Sequence, residues 1–242
     1  MDPRDTTPEG PAAPMRPAQG RHHEPDLRGM TRITLRPIAS PMPLGFYTVA
    51  IASTIVGCLQ LGLFEDGAEH AVALAILPAF FLQLLVGFLA FGARDVLAAT
   101  LMACFSGMWL ASSLVLATRP PGGARVLGVL NLCFVLFALL MASVAKPKRA
   151  LWLVLCTAVP RFAVAAAANL SGAHWLTDLS GALGLLLAAV AMYAAFALML
   201  EDMRGQEVLP LGRSGPARQA VDGDLTVQLR NLERHAGVRR TL

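Results

Sequence analysis

The chain has 242 residues, of which 55% are hydrophobic and only 15% charged, against roughly 25% charged in ordinary soluble domains. With a mean hydropathy of +0.57, this composition argues against a soluble enzyme. The net charge is +4, but the cations lie almost entirely in the tails and short gaps, so no basic face for nucleic acid is indicated.

Residues 1–39 are rich in Pro, Gly, Arg and acidic residues and show no helical or alternating apolar period. They bury too little to order themselves and are read as a disordered tail. The first apolar run begins too late for a cleaved secretory signal. Six apolar runs then follow, at about 43–64, 71–92, 95–117, 124–145, 149–170 and 178–200. Each has the roughly twenty residues that an α-helix needs to cross the bilayer, and each is far longer than a tilted barrel strand. The fold expected is therefore all-α, a polytopic membrane protein with six transmembrane helices in one compact bundle over residues 40–212. The gaps between runs are short, so consecutive helices should be antiparallel neighbours. Residues 213–242 form a polar tail in which Asp224, Leu225, Leu229 and Leu232 suggest a short amphipathic helix. It would rest on anionic lipid or a subunit; a largely disordered tail reads equally well.

With both termini on one side, seventeen cations fall on that side against Arg119 and Arg125 on the other. The asymmetry predicts cytoplasmic termini. Cys58, Cys104, Cys133 and Cys156 lie in four separate runs, so neither a disulfide framework nor a zinc site is indicated, and no metal or cofactor is expected.

Arg161 lies twelve residues after Arg149, about 18 Å along the fifth span. A charge at that depth costs about 2.5–3.5 kcal/mol on insertion scales and is not expected to face lipid. It reads either as a group on an aqueous path that attracts a carboxylate, with Pro160 loosening the helix beside it, or as an internal partner of Asp178 or Glu201, or as a snorkelling side chain. The uncharged polar residues within spans are Thr48, Ser53, Thr54, Gln60, Gln83, Asn131, Thr157 and Asn169. They suit weak binding of a small solute or hydrogen bonding between helices. Trp109, Trp152 and Trp175 read as packing or interfacial anchors.

Ser40-Pro41-Met42-Pro43-Leu44-Gly45-Phe46 at the mouth of the first span resembles the N-P-A-P-L-G-L signature of the acetate uptake transporter family, the succinate–acetate permease-like proteins. Further motifs recur in order: Gln83 with Gly87 on the family's Q-x-x-x-G, Ser106 to Trp109, and Asn169 with Gly172 on its N-x-x-G. Gly181, Gly184, Tyr193 and the closing Val208-Leu209-Pro210-Leu211-Gly212 complete the set. The resemblance spans about residues 40–212. It implies six helices, passage of acetate or a similar small monocarboxylate with or without proton coupling, and a homohexamer in the bacterial inner membrane with one pathway per subunit. It favours pathway roles for Gln83 and Asn169.

The departures are informative. Ser40 stands where the family has asparagine, and Ala90 where it has glutamate. The family's hydrophobic gate of phenylalanine, tyrosine and leucine falls on Val49, Phe105 and Ala158. The smaller residues imply a wider constriction and leave open a different small solute. The family position of Arg161 is apolar, so its role is not inherited. A non-transporting membrane scaffold that uses the basic tail is the remaining alternative. An enzyme is not expected: His174 and Asp178 match the H-x-x-x-D end of membrane phosphatases, but the cations that must clamp a phosphate are missing from the sequence, and His174 reads as a loop residue.

Overall fold

The computed structural model describes residues 39–93, 95–204 and 208–211. All regular structure among them is helical: α1 (Met42–Gln60), α2 (Glu69–Gly92), α3 (Val96–Thr118), α4 (Gly123–Ala145), α5 (Arg149–Ser171) and α6 (His174–Arg204). Each is long and apolar enough to cross a membrane, and within each span the backbone satisfies its own polar groups. Readings made for residues 1–38 and 212–242, including the amphipathic segment near Asp224, lie outside the described residues.

Two helices depart from the hydropathy runs. α1 stops at Gln60 rather than Phe64, because Gly62 takes φ +67° and the backbone turns there; the apolar Leu63 and Phe64 lie exposed in the following loop. α6 is longer than expected at both ends and absorbs His174 as its first residue, so His174 is an exposed helical residue and not part of a loop.

The helices close into a ring. Each packs on its neighbour in sequence and α6 returns to α1, with α3–α4 the thinnest seam. In a bilayer the hydrophobic effect does not drive helices together, so close van der Waals packing through small residues matters most. The α1–α6 crossing shows this: a Cβ on Gly57 would lie 3.0 Å from the Gly181 carbonyl oxygen, and one on Gly181 would lie 3.1 Å from Gln60 Cβ. Gly87 performs the same service against the Ala103 backbone at 3.2 Å, joining α2 to α3. Large apolar side chains such as Phe81, Phe88, Val126 and Leu136 point outward and are exposed, as lipid-facing surfaces require.

Ion pairs fasten both ends. Arg119, in the left-handed region at the end of α3, pairs with Glu69 at the start of α2. At the opposite end, where α1 begins and α6 finishes, Lys148 pairs with Asp95, whose carboxylate also accepts from the Ala98 amide and caps α3. This terminus end also receives the chain after α6: Tyr193 Oη donates to the Pro210 carbonyl at 3.2 Å, and Leu211 is buried.

Candidate functional site

A cavity of about 230 Å³ runs inside the ring. Along α1 its wall extends from Phe46 to Gln60, about 21 Å of helix axis. On α3 and α5 it spans Leu101 to Leu116 and Val154 to Asn169, a closely similar length. The cavity thus runs along the helices inside the bundle.

Its lining is graded. Val49, Phe105 and Ala158, from α1, α3 and α5, all border it in its terminus-side third. Each lies seven to nine residues from the terminus end of its own helix, or about 10–14 Å along it, so they share one layer. Phe105 is held there by aromatic neighbours: its ring stacks on Phe162 at 5.6 Å and meets Phe134 at 5.4 Å and Phe137 at 6.0 Å. Toward the distal end, away from the termini, the wall becomes polar with Ser53, Gln60, Ser112, Asn131, Arg161 and Asn169. Trp109 lines this part too and also packs against the buried cluster of Ala52, Val72, Ile76 and Ala79.

Arg161 is the charge in this wall. Its Nη1 donates to Ser180 Oγ at 2.6 Å, and the Ser180 hydroxyl donates to Gln60 Oε1 at 3.3 Å. One chain of polar groups therefore joins α5, α6 and α1. The Gly57–Gly181 crossing brings Gln60 to Ser180, and Gly184 makes room for the arginine stem: a Cβ there would lie 3.1 Å from Arg161 Nε. Ser180, not Asp178, receives the guanidinium. Glu201 lies at the other end of α6, about 30 Å away along the axis. With an uncharged partner, the cation keeps its full charge toward the cavity.

Two expectations separate here. Asn169 borders the cavity, whereas Gln83 does not. Gln83 is 0% exposed within the helix packing, and neither of its amide atoms has a hydrogen-bond partner. Its four-residue spacing from Gly87 puts it on the face of α2 that packs against α3, away from the lumen. The motif Ser40, Pro41, Pro43, Leu44 and Gly45 opens α1. A Cβ on Gly45 would meet Met102 Sδ at 2.8 Å, so the glycine lets α1 approach α3.

Six apolar helices closed around a long internal cavity define a polytopic α-helical membrane protein with a lumen in the protomer itself. The chain belongs to the GPR1/FUN34/yaaH family, whose sequence pattern matches residues 22–206. It is 27% identical over 184 residues to the succinate-acetate/proton symporter SatP of Escherichia coli, covering 73% of this chain and 97% of that protein. It is 28% identical over 111 residues to acetate permease A of Emericella nidulans, covering 46% of this chain and 36% of the other. The solved structure of the bacterial acetate channel SatP matches with a TM-score of 0.65 at 25% identity, over 73% of this chain and 100% of that one. Family members are transporters and channels, and the chain is not an enzyme.

Proposed function

We propose that the protein conducts acetate or a similar small monocarboxylate through the cavity of each protomer, with or without a coupled proton. The observation that carries this reading is the Arg161 guanidinium in the polar distal half of the cavity, held by Ser180, which in turn bonds Gln60, beyond the layer of Val49, Phe105 and Ala158. A fixed cation in a low-dielectric wall attracts an anion more strongly than it would in water. The neutral polar groups beside it can replace part of the anion's hydration without trapping it. The relatives named for acetate and succinate support the same substrate class.

The small side chains of Val49 and Ala158 favour a second reading, a same-fold protein that carries a somewhat larger or different small solute. The assembly fitting the family resemblance is a homohexamer in the bacterial inner membrane. The cation asymmetry supports cytoplasmic termini.

The test is uptake by proteoliposomes of the purified protein, with radiolabelled acetate and a panel of C2–C4 carboxylates. Flux well above protein-free vesicles is expected for at least one of them. Absence of flux for the whole panel removes the reading.

A further inference from the structure

A second cavity, of about 240 Å³, lies at the terminus end. Its described wall includes Ser40, Asp95, Lys148, Arg149 and Leu211. The two sequence motifs at the edges of the bundle, one opening α1 and one following α6, therefore meet at a single vestibule. The vestibule holds the Lys148–Asp95 ion pair and Arg149, a net single positive charge, and reaches the surface, since Arg149 and Ser40 are exposed.

The two cavities stand in series and are closed from each other. On α3 the central cavity ends at Leu101 and the vestibule begins at Ala98; on α5 the corresponding residues are Val154 and Leu151. In both helices one turn separates the two spaces. Only on α1 does one side chain among the described residues belong to both walls, and that residue is Phe46. It is 1% exposed and is one of the largest side chains fully enclosed by the protein. It shares a buried cluster with Leu101 of α3, Leu151 of α5 and the small Ala191, Ala194 and Ala195 of α6.

We propose that Phe46 is the barrier of the pathway, closing the central cavity against the cationic vestibule one helical turn from the Val49 layer. The inference rests on the reading that a solute passes through each protomer. A buried aromatic ring denies a hydrated anion any polar contact at the narrowest point, and a desolvated charge crosses such a point only at high cost. Phe46 is packed like a core ring but stands between the two cavities, and a change of χ1 between staggered wells would carry the ring toward the vestibule. Gly45 and Thr48 flank it on α1. Gly45 presents no side chain, and the Thr48 hydroxyl donates to the Leu44 carbonyl at 2.8 Å, a back-bond that bends helices. Opening would join the Arg161 region to Arg149, giving an anion a cation on each side of the barrier.

The test is thiol accessibility in the full-length protein with Cys58, Cys104, Cys133 and Cys156 replaced by serine. Ser53→Cys places a reporter in the central cavity. An anionic, membrane-impermeant methanethiosulfonate is applied from each membrane face in turn, the terminus face being identified by an epitope on the amino terminus. With Phe46 present, labelling is expected from the distal face only. Phe46→Ala should raise the labelling rate from the terminus face by about tenfold or more, the scale of a lost 1.4 kcal/mol barrier, and Phe46→Leu should raise it less. Phe46→Leu carries the test if the alanine variant is not monodisperse by size exclusion. Equal labelling from both faces with Phe46 intact, or a terminus-face rate unmoved in both variants, overturns the proposal. Because labelling requires no carboxylate, the two readings can fail separately: a shifted labelling rate with no carboxylate flux in any variant upholds the barrier and removes the proposed substrate.

Discussion

Gly184 and Arg161 occupy the same space in turn: a Cβ on the glycine would lie 3.1 Å from the arginine Nε and 3.7 Å from its Cδ. The guanidinium reaches Ser180 because its stem lies across the bare backbone of α6. Added bulk must push the middle of that side chain, which cannot swing aside without giving up the contact at its end. Gly184→Ala should lower carboxylate flux about fivefold and Gly184→Val about thirtyfold, the scale of about 1–2 kcal/mol of overpacking. Oligomer size should be unchanged in detergent. Full flux in Gly184→Val would show that Arg161 does not need this position.

Arg161→Leu keeps much of the side-chain volume and removes the charge. Hydrogen bonds to charged groups are worth about 1.5–3 kcal/mol, so anion flux should fall about tenfold to a hundredfold. Lysine holds its charge on a compact head without the guanidinium fork, so Arg161→Lys should recover part of the flux. Ser180→Ala should fall between wild type and Arg161→Leu, since it frees the guanidinium without discharging it. Initial uptake rates in proteoliposomes check all three. Unchanged flux in Arg161→Leu would exclude the anion-attracting role, and a dispersed oligomer would assign the arginine to structure.

The spans were legible because each must be apolar over the thickness of the membrane, and that requirement leaves its mark locally. Their ends were less so. Leu63 and Phe64 prolong the first apolar run past the turn at Gly62, while Asp178 and Glu201 interrupt hydropathy inside a helix that continues through them. Arg161 could be singled out as a rare charge at mid-depth, but its partners could not. Ser180 and Gln60 are 19 and 101 positions away in sequence, and helix crossing alone brings them together. Gln83 shows the reverse: a polar residue at a suggestive spacing that the packing turns away from the lumen. Phe46 closes the motif that opens α1, but its place between two cavities left no mark in the sequence, because the meeting of two cavities is a property of the whole ring.

Gln83 is enclosed with neither amide atom paired. An unsatisfied buried polar group costs about 1–3 kcal/mol, and an apolar group of the same shape avoids that cost. Gln83→Leu should therefore leave carboxylate flux at the wild-type level, and a gain of about 1 kcal/mol would raise the Tm by about 2–4 °C for a chain of this size. Fluorescence-detected unfolding in detergent and proteoliposome uptake measure the two effects. A tenfold loss of flux without loss of stability would return Gln83 to the pathway.

Asp95 has two partners at the terminus end: its carboxylate accepts from the Ala98 amide at 3.2 Å and pairs with Lys148 from the α4–α5 turn. The cap satisfies a donor that the first turn of α3 leaves open, and its removal costs about 0.5–2 kcal/mol. The ion pair adds less, because both side chains are partly exposed, at 42% for Lys148 and 28% for Asp95, and pairs open to water contribute at most about 1 kcal/mol. Asp95→Asn retains an oxygen acceptor for the cap and loses only the charge, so it should cost less than Asp95→Ala. Lys148→Met should resemble Asp95→Asn. High salt should narrow the gap between wild type and Asp95→Asn while leaving the alanine variant behind, because screening weakens the ion pair and spares the cap. Thermal unfolding at low and high ionic strength measures the split. Equal losses in Asp95→Asn and Asp95→Ala would show that the carboxylate acts through Lys148 alone.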